Sequence, residues 1–418
     1  MQLTVKAVLN HVHPLSSFVY ADVRLAGGAH PCLEVTVTPR AKSRPICSGC
    51  GKRDTGYDRQ PVRRFSFVPL WNIPVWLLYA PRRVNCRRCG VKVEAMPWAL
   101  GKSPTSLAFC VFLATWAQVL SWKQVAQRFH TSWDTVFEAV GYAVTYGLNH
   151  RDLSQVKEVG IDEIAVRKGH HYVTLVYDLA ASCRRLLFVH EGRREESLAP
   201  FFSLLGDDGC QRLRVICSDM WKPFRNVIAR FAPHALHVLD KFHIVAHLTK
   251  AVDETRRQEA AAERKKGNAV VLKHSRWCLL KRPGNLTDRQ AGRLGALLQL
   301  NLRTVKAYLL KEDFDAFWSY VSPAWAARYL DRWCMRAMRS RIEPMKKMAG
   351  MLRRHRGLIL NYFRAKKQFS SGVVEGLNSR VKSVTKSAYG FRNLKILEIA
   401  LLHTMGKLPM PPTAHRFV

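Results

Sequence analysis

Three stretches in the first third of the chain carry the hydrophobic periodicity of helices. Residues 107–120 are almost entirely apolar but too few to span a membrane, which is typical of a buried helix. The next stretch places its apolar residues at i, i+3, i+4 and i+7: Trp122, Val125, Ala126 and Phe129. After a short break, a third helix is predicted from Trp133 onwards. Two helices joined by a tight turn favour a DNA-reading helix-turn-helix, and a purely structural helical bundle is the alternative.

Residues 151–240 show a different pattern, with short alternating runs that predict strands. Strands are predicted at 159–166, 172–179, 185–190, 212–219 and 235–240, and helices at 195–205 and 221–231. This βββαβαβ order is typical of an α/β arrangement.

Acidic residues lie on three of these predicted strands. Asp162 falls within the first strand, and Asp219 and Asp240 end the fourth and the fifth. Strand interiors disfavour aspartate, and a buried carboxylate needs compensation. A divalent cation such as Mg²⁺ supplies it, because this ion prefers oxygen ligands. A strand-end cap or a turn is the alternative for any single aspartate, whereas the set of three predicts a cation site.

The basic charge of the chain is distributed unevenly. The sequence has 67 Lys plus Arg against 31 Asp plus Glu, and this formal net charge of +36 indicates a polyanionic partner, above all nucleic acid. An acidic membrane surface is the weaker alternative. Residues 151–240 carry a net charge of only +1, whereas residues 1–150 carry +11 and residues 241–370 carry +19. The block that collects the acids is therefore nearly neutral within a strongly basic protein.

Two Cys-x-x-Cys pairs lie in the first 100 residues, Cys47 with Cys50 and Cys86 with Cys89. Two such knuckles provide four thiolates at the spacing of a tetrahedral zinc site, and the glycines beside them allow tight turns. Four thiolates leave no open coordination position, so one structural Zn²⁺ is expected. Four ordinary buried cysteines are the alternative. A disulfide framework is not expected from 11 cysteines without an apparent export signal.

A further acid lies near the end of the chain. An N-capped helix is predicted from Ser370 onwards, with Glu375 in its early turns. Asn378, Ser379 and Lys382 follow at i+3, i+4 and i+7 and share its face. Glu375 could reach the cations while its neighbours hold the DNA backbone. A lone helical glutamate is ordinarily only solvated, so this hypothesis depends on the other motifs.

Together these motifs resemble the DDE transposases, in particular the ISL3 family of bacterial insertion-sequence transposases. The likeness covers nearly the whole chain and is most specific in five segments: Gly160-Ile-Asp-Glu163, Ser218-Asp-Met-Trp-Lys-Pro223, Asp240-Lys-Phe-His243, Ser371-Gly-Val-Val-Glu-Gly-Leu-Asn378 and Ala388-Tyr-Gly-Phe-Arg-Asn393.

The resemblance implies a catalytic triad of Asp162, Asp219 and Glu375 that holds two Mg²⁺ or Mn²⁺ ions, with auxiliary roles for Asp240 and His243. The expected activity is DNA transposition, in which a strand is cut at the terminal inverted repeats and the freed 3′-hydroxyl attacks target DNA. A non-catalytic sequence-specific DNA-binding protein, such as a repressor or a domesticated transposase, is the alternative from another class. A nuclease without strand transfer is a nearer alternative.

The expected fold class is multidomain α/β. The resemblance implies an RNase H-like mixed-sheet core that is interrupted by an all-helical insertion. The predicted division has a zinc-binding domain at 1–100, a helix-turn-helix at 101–150, the first part of the core at 151–240, the insertion at 241–369 and a C-terminal helical part of the core at 370–418. The tryptophans of the insertion are expected in its core and not stacked on bases: Trp277, Trp318, Trp325 and Trp333.

Basic and polar residues of these segments are the expected DNA contacts, with a solvated charged face as the alternative. They are Arg82, Arg83, Arg87, Arg88, Lys123, Arg128, Asn378, Arg380, Lys382 and Arg392. The expected partners are double-stranded DNA, as inverted repeats and target, and further copies of the chain, since joining two element ends calls for a dimer or a larger assembly. No membrane partner is expected, and the predicted location is the bacterial cytoplasm, at the nucleoid.

Overall fold

The computed structural model describes residues 4–412 except 168, 170, 268–270, 368–370, 389, 390 and 392, and describes only the backbone of 167, 371, 372 and 387. The chain divides into two compact units, one made of residues 1–152 and 384–418 and the other of residues 153–383. Both contain strands and helices, so the predicted mixed α/β class with several domains is confirmed. Within the described ranges, no helix is long and apolar enough to cross a membrane.

The first unit begins with a helix and seven strands, followed by three helices. They are α1 (Val5–Val12), β1 (Phe18–Ala26), β2 (Cys32–Pro39), β3 (Thr55–Arg59), β4 (Arg63–Leu70), β5 (Ile73–Tyr79), β6 (Arg82–Cys86), β7 (Gly90–Val93), α2 (Leu107–Trp116), α3 (Trp122–Arg128) and α4 (Trp133–His150). The strands form a four-stranded sheet of order β1-β2-β5-β4 and a three-stranded sheet of order β3-β6-β7. The buried Trp98 ring fills the core beside the larger sheet, with edge contacts to Phe18 and Tyr79.

The helices predicted as a helix-turn-helix lie where the periodicity places them, although α2 ends at Trp116 and not at residue 120. Helix α3 starts after Ser121, whose hydroxyl accepts a hydrogen bond from the Gln124 amide while the Gln124 side chain accepts one from the Ser121 amide. This reciprocal capping gives hydrogen-bond acceptors to two backbone amides that have none within the helix. Val125 and Ala126 are buried, which is the apolar face that the sequence predicts.

The second unit begins with the predicted βββαβαβ order. Its elements are β8 (Glu158–Arg167), β9 (His171–Asp178), β10 (Arg185–Glu191), α5 (Glu195–Arg212), β11 (Val215–Ser218), α6 (Lys222–Phe231) and β12 (Leu236–Leu239). They form one sheet of order β10-β9-β8-β11-β12, in which β9 is antiparallel to β8 and β10, and β11 is parallel to β8 and β12. Helix α5 runs past its predicted end through a kink at Gly206, where φ is +67°.

Helices α5 and α6 cover the sheet with apolar side chains. Phe201 and Phe202 of α5 and Phe224 of α6 are almost fully buried in one cluster with Val159 and Ile216 of the sheet. Burying an aromatic or aliphatic side chain of this size contributes about 2 kcal/mol each. This packed layer holds strands β8 and β11 in fixed positions, and with them the acids that they carry.

Helices make up most of the rest of the second unit. They are α7 (Lys241–Lys265), α8 (Arg276–Leu280), α9 (Asp288–Leu298), α10 (Arg303–Asp315), α11 (Pro323–Arg339), α12 (Glu343–Arg354), α13 (Arg356–Arg364) and α14 (Ser371–Ser387), with short 3-10 helices at Pro283–Asn285 and Ala316–Ser319. Trp318 and Trp333 are buried as predicted, whereas Trp277 and Trp325 are each 54% exposed. The prediction of core positions is therefore wrong for these last two.

The last helix, α15 (Leu394–Met405), packs against α4. Residues 384–418 accordingly group with the first unit, whereas the sequence-based division attaches 370–418 to the core. The five-part division itself stays a prediction.

Candidate active site

Three aspartates meet at one edge of the sheet in the second unit. Asp162 lies on β8, and Asp219 and Asp240 directly follow the last residues of β11 and β12. These three strands are parallel neighbours, and the register that pairs Cys217 with Gly160 places Asp162, in the middle of β8, beside the end of β11. One cavity is lined by Ile161, Asp162, Cys217, Ser218, Asp219, Val238, Leu239, Asp240 and Val374.

The surroundings of Asp162 and Asp219 disfavour their negative charges. Burial raises the pKa of both side chains above the usual value of aspartate, and the proximity of Asp162 raises the pKa of Asp219 further. Backbone amides act in the opposite direction: Glu163 N donates to Asp162 Oδ1 at 2.8 Å, and Trp221 N donates to Asp219 Oδ1 at 2.9 Å. Hydrogen bonds thus hold the two carboxylates in place, but they do not fully compensate the negative charges.

Asp240 lines the same cavity, and His243 lies beside it. Asp240 caps α7, since its Oδ1 accepts a hydrogen bond of 2.7 Å from Phe242 N. Its Oδ2 lies 3.7 Å from His243 Nε2. The His243 ring also lowers the pKa of Asp162 and Asp219 electrostatically. His243 therefore interacts electrostatically with all three aspartates.

Helix α14 is joined to the sheet through Asn378. Its side-chain amide donates to Asp162 Oδ2, and its Oδ1 accepts a hydrogen bond of 2.7 Å from the Tyr177 hydroxyl. Asn378 is only 8% exposed, so the structure gives this predicted DNA contact two hydrogen-bond partners within the protein. An amide bound on both sides fixes the orientation of Asp162.

The predicted third acid, Glu375, lies on the same helix and is exposed. Val374, the residue before it, forms part of the cavity wall, while Glu375 itself is outside the described lining. Residues three apart on a helix are surface neighbours. Glu375 therefore lies one turn from Asn378 and its bond to Asp162. Lys382 is also exposed and lowers the pKa of Asp162 electrostatically.

Glu163 is an acid of this site that sequence reasoning missed. Burial, followed by the charges of Asp219 and Asp162, raises the pKa of Glu163 to about 7. Its Oε2 is buried and has no hydrogen-bond partner in the described part of the chain, and its Oε1 lies 3.8 Å from Arg193 Nη1. Strand alternation predicts opposite faces for adjacent residues, so the position of Glu163 beside the aspartates does not follow from the sequence pattern.

Arg193 is a second missed residue. Its guanidinium lies close to two aromatic rings, 4.1 Å from the centroid of Tyr172 and 4.7 Å from that of Trp221. Trp221 Nε1 also donates a hydrogen bond of 2.7 Å to the Arg193 carbonyl. These ring contacts hold the cation beside Glu163, and its positive charge lowers the pKa of Asp219.

Replacing Glu163 by Gln should stabilise the cation-free protein at alkaline pH. The folded-state pKa of Glu163, about 7, lies above its usual value, so its ionisation destabilises the fold progressively as the pH rises from that usual value to about 7, and the loss is complete above it. We expect Glu163→Gln to raise the unfolding midpoint by about 3 °C at about pH 8 and to change it little at about pH 5. Thermal melts in a chelating buffer measure this. Exposed Glu191→Gln is the matched control, and a wild-type midpoint for Glu163→Gln at the higher pH would contradict the prediction.

The four knuckle cysteines gather at one point of the first unit. The Sγ atoms of Cys47, Cys50, Cys86 and Cys89 all lie within 4.8 Å of one another. Gly51 and Gly90 each follow the second cysteine of a knuckle with φ of +70°, a left-handed conformation that glycine adopts without strain. Tetrahedral zinc at a Zn–S distance of about 2.3 Å separates its thiolates by about 3.8 Å, so this group could hold the ion.

The arginines near the second knuckle differ in their surroundings. Arg82 forms a buried ion pair with Glu94 at 2.8 Å, and Arg83 Nε donates to Asp58 at 2.6 Å. Arg87 and Arg88 are exposed. Arg82 therefore stabilises the fold through its ion pair.

The remaining predicted DNA contacts also divide by position. Lys123 and Arg128 are exposed on α3, where Arg128 Nη1 donates a hydrogen bond of 2.6 Å to Asn72 Oδ1. Arg380 is exposed on α14. Arg392 lies outside the described residues.

Comparison with known proteins bears on what this site does. The family model described as transposase, that of the ISL3 group of the DDE type, matches residues 159–401. The transposase for insertion sequence element IS1001 of Bordetella parapertussis is 29% identical over 364 residues, which cover 86% of this chain and 88% of the relative. The transposase for insertion sequence element IS1557 of Mycobacterium tuberculosis (strain CDC 1551 / Oshkosh) is 29% identical over 408 residues, which cover 91% and 90%.

The matched family segment covers more than half of the chain and includes every strand of the sheet that bears Asp162, Asp219 and Asp240 except the first residue of β8. Both relatives align over most of their own length. The chain belongs to the ISL3 family of transposases.

Proposed function

We propose that this transposase binds the terminal inverted repeats of an insertion sequence and catalyses metal-dependent strand cleavage and strand transfer by a DDE mechanism. The observation that carries the proposal is the cavity in which Asp162, Asp219 and Asp240 lie together. Carboxylates on neighbouring strands repel one another unless a cation or a proton neutralises them. Phosphoryl transfer needs such a fixed arrangement of charge, because positioning and charge stabilisation supply most of its acceleration.

The sheet supports an RNase H-like core. Antiparallel β10, β9 and β8 continue into parallel β11 and β12, and the first aspartate lies on the central strand. We assign residues 151–240 and helix α14 to this core and residues 241–369, whose described elements are helices, to an insertion within it.

The donor atoms at the cavity fit hard divalent cations. Mg²⁺ and Mn²⁺ take oxygen ligands, and the carboxylates of Asp162, Asp219 and Glu375 would hold two of them. The buried Glu163 Oε2 has no hydrogen-bond partner in the described residues. It is a further oxygen acceptor close to the carboxylates of Asp162 and Asp219. Bound ions of this kind supply an activated water and stabilise the leaving 3′-oxygen.

The protein's own residues would set the geometry of the reaction. Asn378 fixes Asp162, and the Trp221 amide fixes Asp219. Helix α14 would bring Glu375 to the same edge of the sheet, while exposed Arg380 and Lys382 contact phosphates. After cleavage, the freed 3′-hydroxyl attacks a target phosphodiester, so one P–O bond forms as another breaks.

The first unit would recognise the DNA. One structural zinc held by the four cysteines would stabilise the knuckles, which present Arg87 and Arg88, and α3 presents Lys123 and Arg128. The helix-turn-helix would read the inverted repeats, and pairing of two element ends would require at least a dimer.

A cleavage and joining assay on the wild-type protein tests the proposal. A duplex that carries one element end and its flank is incubated with Mg²⁺, with Mn²⁺ or with a chelator. We expect strand cleavage at the element boundary only with a divalent ion, followed by joining of the 3′-end to a second duplex. Binding without cleavage under either ion would favour the repressor alternative, and cleavage without joining would favour a nuclease.

Asn378→Ala should separate the two roles of this side chain. Loss of the bond to Asp162 is expected to lower cleavage by about 10–100-fold, the usual effect of removing a group that orients a metal ligand. It also leaves the buried Tyr177 hydroxyl unpaired, at about 1–3 kcal/mol of stability. Adding Tyr177→Phe should recover stability but not cleavage. Recovery of both in the double variant would contradict a positioning role.

A further inference from the structure

Helix α11 has one buried face and one exposed face of distinct composition. Its buried side includes Ala326, Leu330, Trp333 and Ala337. The opposite side carries five exposed residues, which we call the α11 stripe: Trp325, Arg328, Arg332, Met335 and Arg339. They fall at i, i+3, i+7, i+10 and i+14, so they lie within about 80° of the helix circumference and span about 21 Å.

The arginines of the α11 stripe are free of ion pairs within the described residues, whereas the other charges of this helix are neutralised. Arg336 pairs with Asp313, and Asp331 pairs with Arg356 at 2.9 Å. The acids of these two ion pairs, Asp313 and Asp331, thus lie off the stripe. The stripe carries three unit positive charges and no acid.

The apolar members of the stripe are also exposed. Trp325 is 54% and Met335 is 41% exposed, and the Arg328 guanidinium lies 5.0 Å from the Trp325 ring centroid. A charged face that only keeps the protein in solution gains nothing from an exposed tryptophan and methionine between its arginines. Such a mixture of guanidinium groups and a stacking ring suits a sugar–phosphate backbone.

We propose that the α11 stripe is a docking surface for double-stranded DNA, which it binds through backbone phosphates. The charge of residues 241–370, +19, is complementary to such a partner. Planar arginine forks bind phosphate oxygens in pairs, and about 21 Å corresponds to about six base-pair steps. The inference deepens the proposed function by naming a surface for the DNA that the transposase handles, and it rests on that function.

A salt titration of DNA binding by the full chain tests the surface. The variant R328Q/R332Q/R339Q is compared with wild type on a repeat-end duplex between about 50 and 200 mM salt. Three lost phosphate contacts should make the slope of log affinity against log salt less steep by about 2–3 and weaken binding by at least about tenfold at the lower salt. The charge-retaining variant R328K/R332K/R339K should keep the slope.

The matched control removes three exposed basic residues from other helices of the same unit, as K265Q/R289Q/K306Q. Its net charge equals that of the stripe variant, and its slope should change by less than about one. Equal slopes for both triple variants, or a wild-type slope for the stripe variant, would overturn the inference. So would a stripe variant that loses binding to anionic lipid vesicles but not to DNA. Wild-type protein that fails to bind DNA would instead remove the proposed function.

Discussion

Asp219→Asn is expected to lower strand cleavage by at least about 10³-fold while leaving affinity for a repeat-end duplex within about twofold. The substitution keeps the shape of the side chain, and its Oδ1 can still accept from the Trp221 amide. What it removes is one negative charge from the cavity that Asp219 shares with Asp162 and Asp240. Loss of about 4 kcal/mol of charge stabilisation in the transition state corresponds to this factor.

Single-turnover cleavage and equilibrium binding of the same duplex measure this prediction. Asp208→Asn is the matched control, since it makes the same chemical change at an exposed position of the same unit. It should cleave at the wild-type rate. Cleavage by Asp219→Asn within about tenfold of wild type would contradict a metal-binding role for this residue.

Cys47→Ser is expected to have the second largest effect, loss of bound zinc and of the fold around the knuckles. Cys47 is fully buried, and its Sγ lies within 4.8 Å of the other three. Structural zinc contributes about 10 kcal/mol or more to small domains of this type, so three remaining thiolates would not keep the fold at this point. Binding to repeat-end DNA should weaken by at least about tenfold as a result.

Metal analysis of purified protein gives the readout, with about one zinc per wild-type chain and almost none in the variant. Cys32→Ser is the control, because Cys32 is a free cysteine of the same unit outside the cluster. It should retain its zinc. Wild-type protein without zinc, or full zinc content in Cys47→Ser, would argue against the site.

Periodicity and strand ends made much of the second unit predictable. The alternation in residues 159–166 and the apolar runs that end at Asp219 and Asp240 correspond to β8, β11 and β12. Parallel β11 and β12 end at the same edge, so Asp219 and Asp240 come together there, and the register with β8 brings Asp162 beside them. These features depend on residues that are close together in the chain, so they can be recognised in a single sequence.

Contacts between segments far apart in sequence could not be predicted in this way. Asn378 shares a helix face with Glu375, which indicated a common surface, but its partner Asp162 is 216 residues away. The ion pair of Arg82 with Glu94 depends on how β6 meets the residues after β7. Trp325 has the composition of a core residue and is exposed because α11 already buries its opposite face.

The position of Glu163 shows a limit of the alternation rule. An ideal strand separates adjacent side chains onto two faces, yet Glu163 is electrostatically coupled to both Asp162 and Asp219. The signal that could have revealed it is the adjacent pair of acids itself, since two neighbouring carboxylates are unusual in a buried strand.

Strand joining by Asp219→Cys in two different metals tests the central proposal most directly. A thiolate at this position is a poor ligand for Mg²⁺ and a better one for softer ions such as Mn²⁺. If Asp219 holds the catalytic cation, the variant should join a pre-cut repeat end to target DNA in Mn²⁺ but not in Mg²⁺, whereas wild type uses both. Joining by Asp219→Cys in Mg²⁺ at the wild-type rate would contradict the proposal.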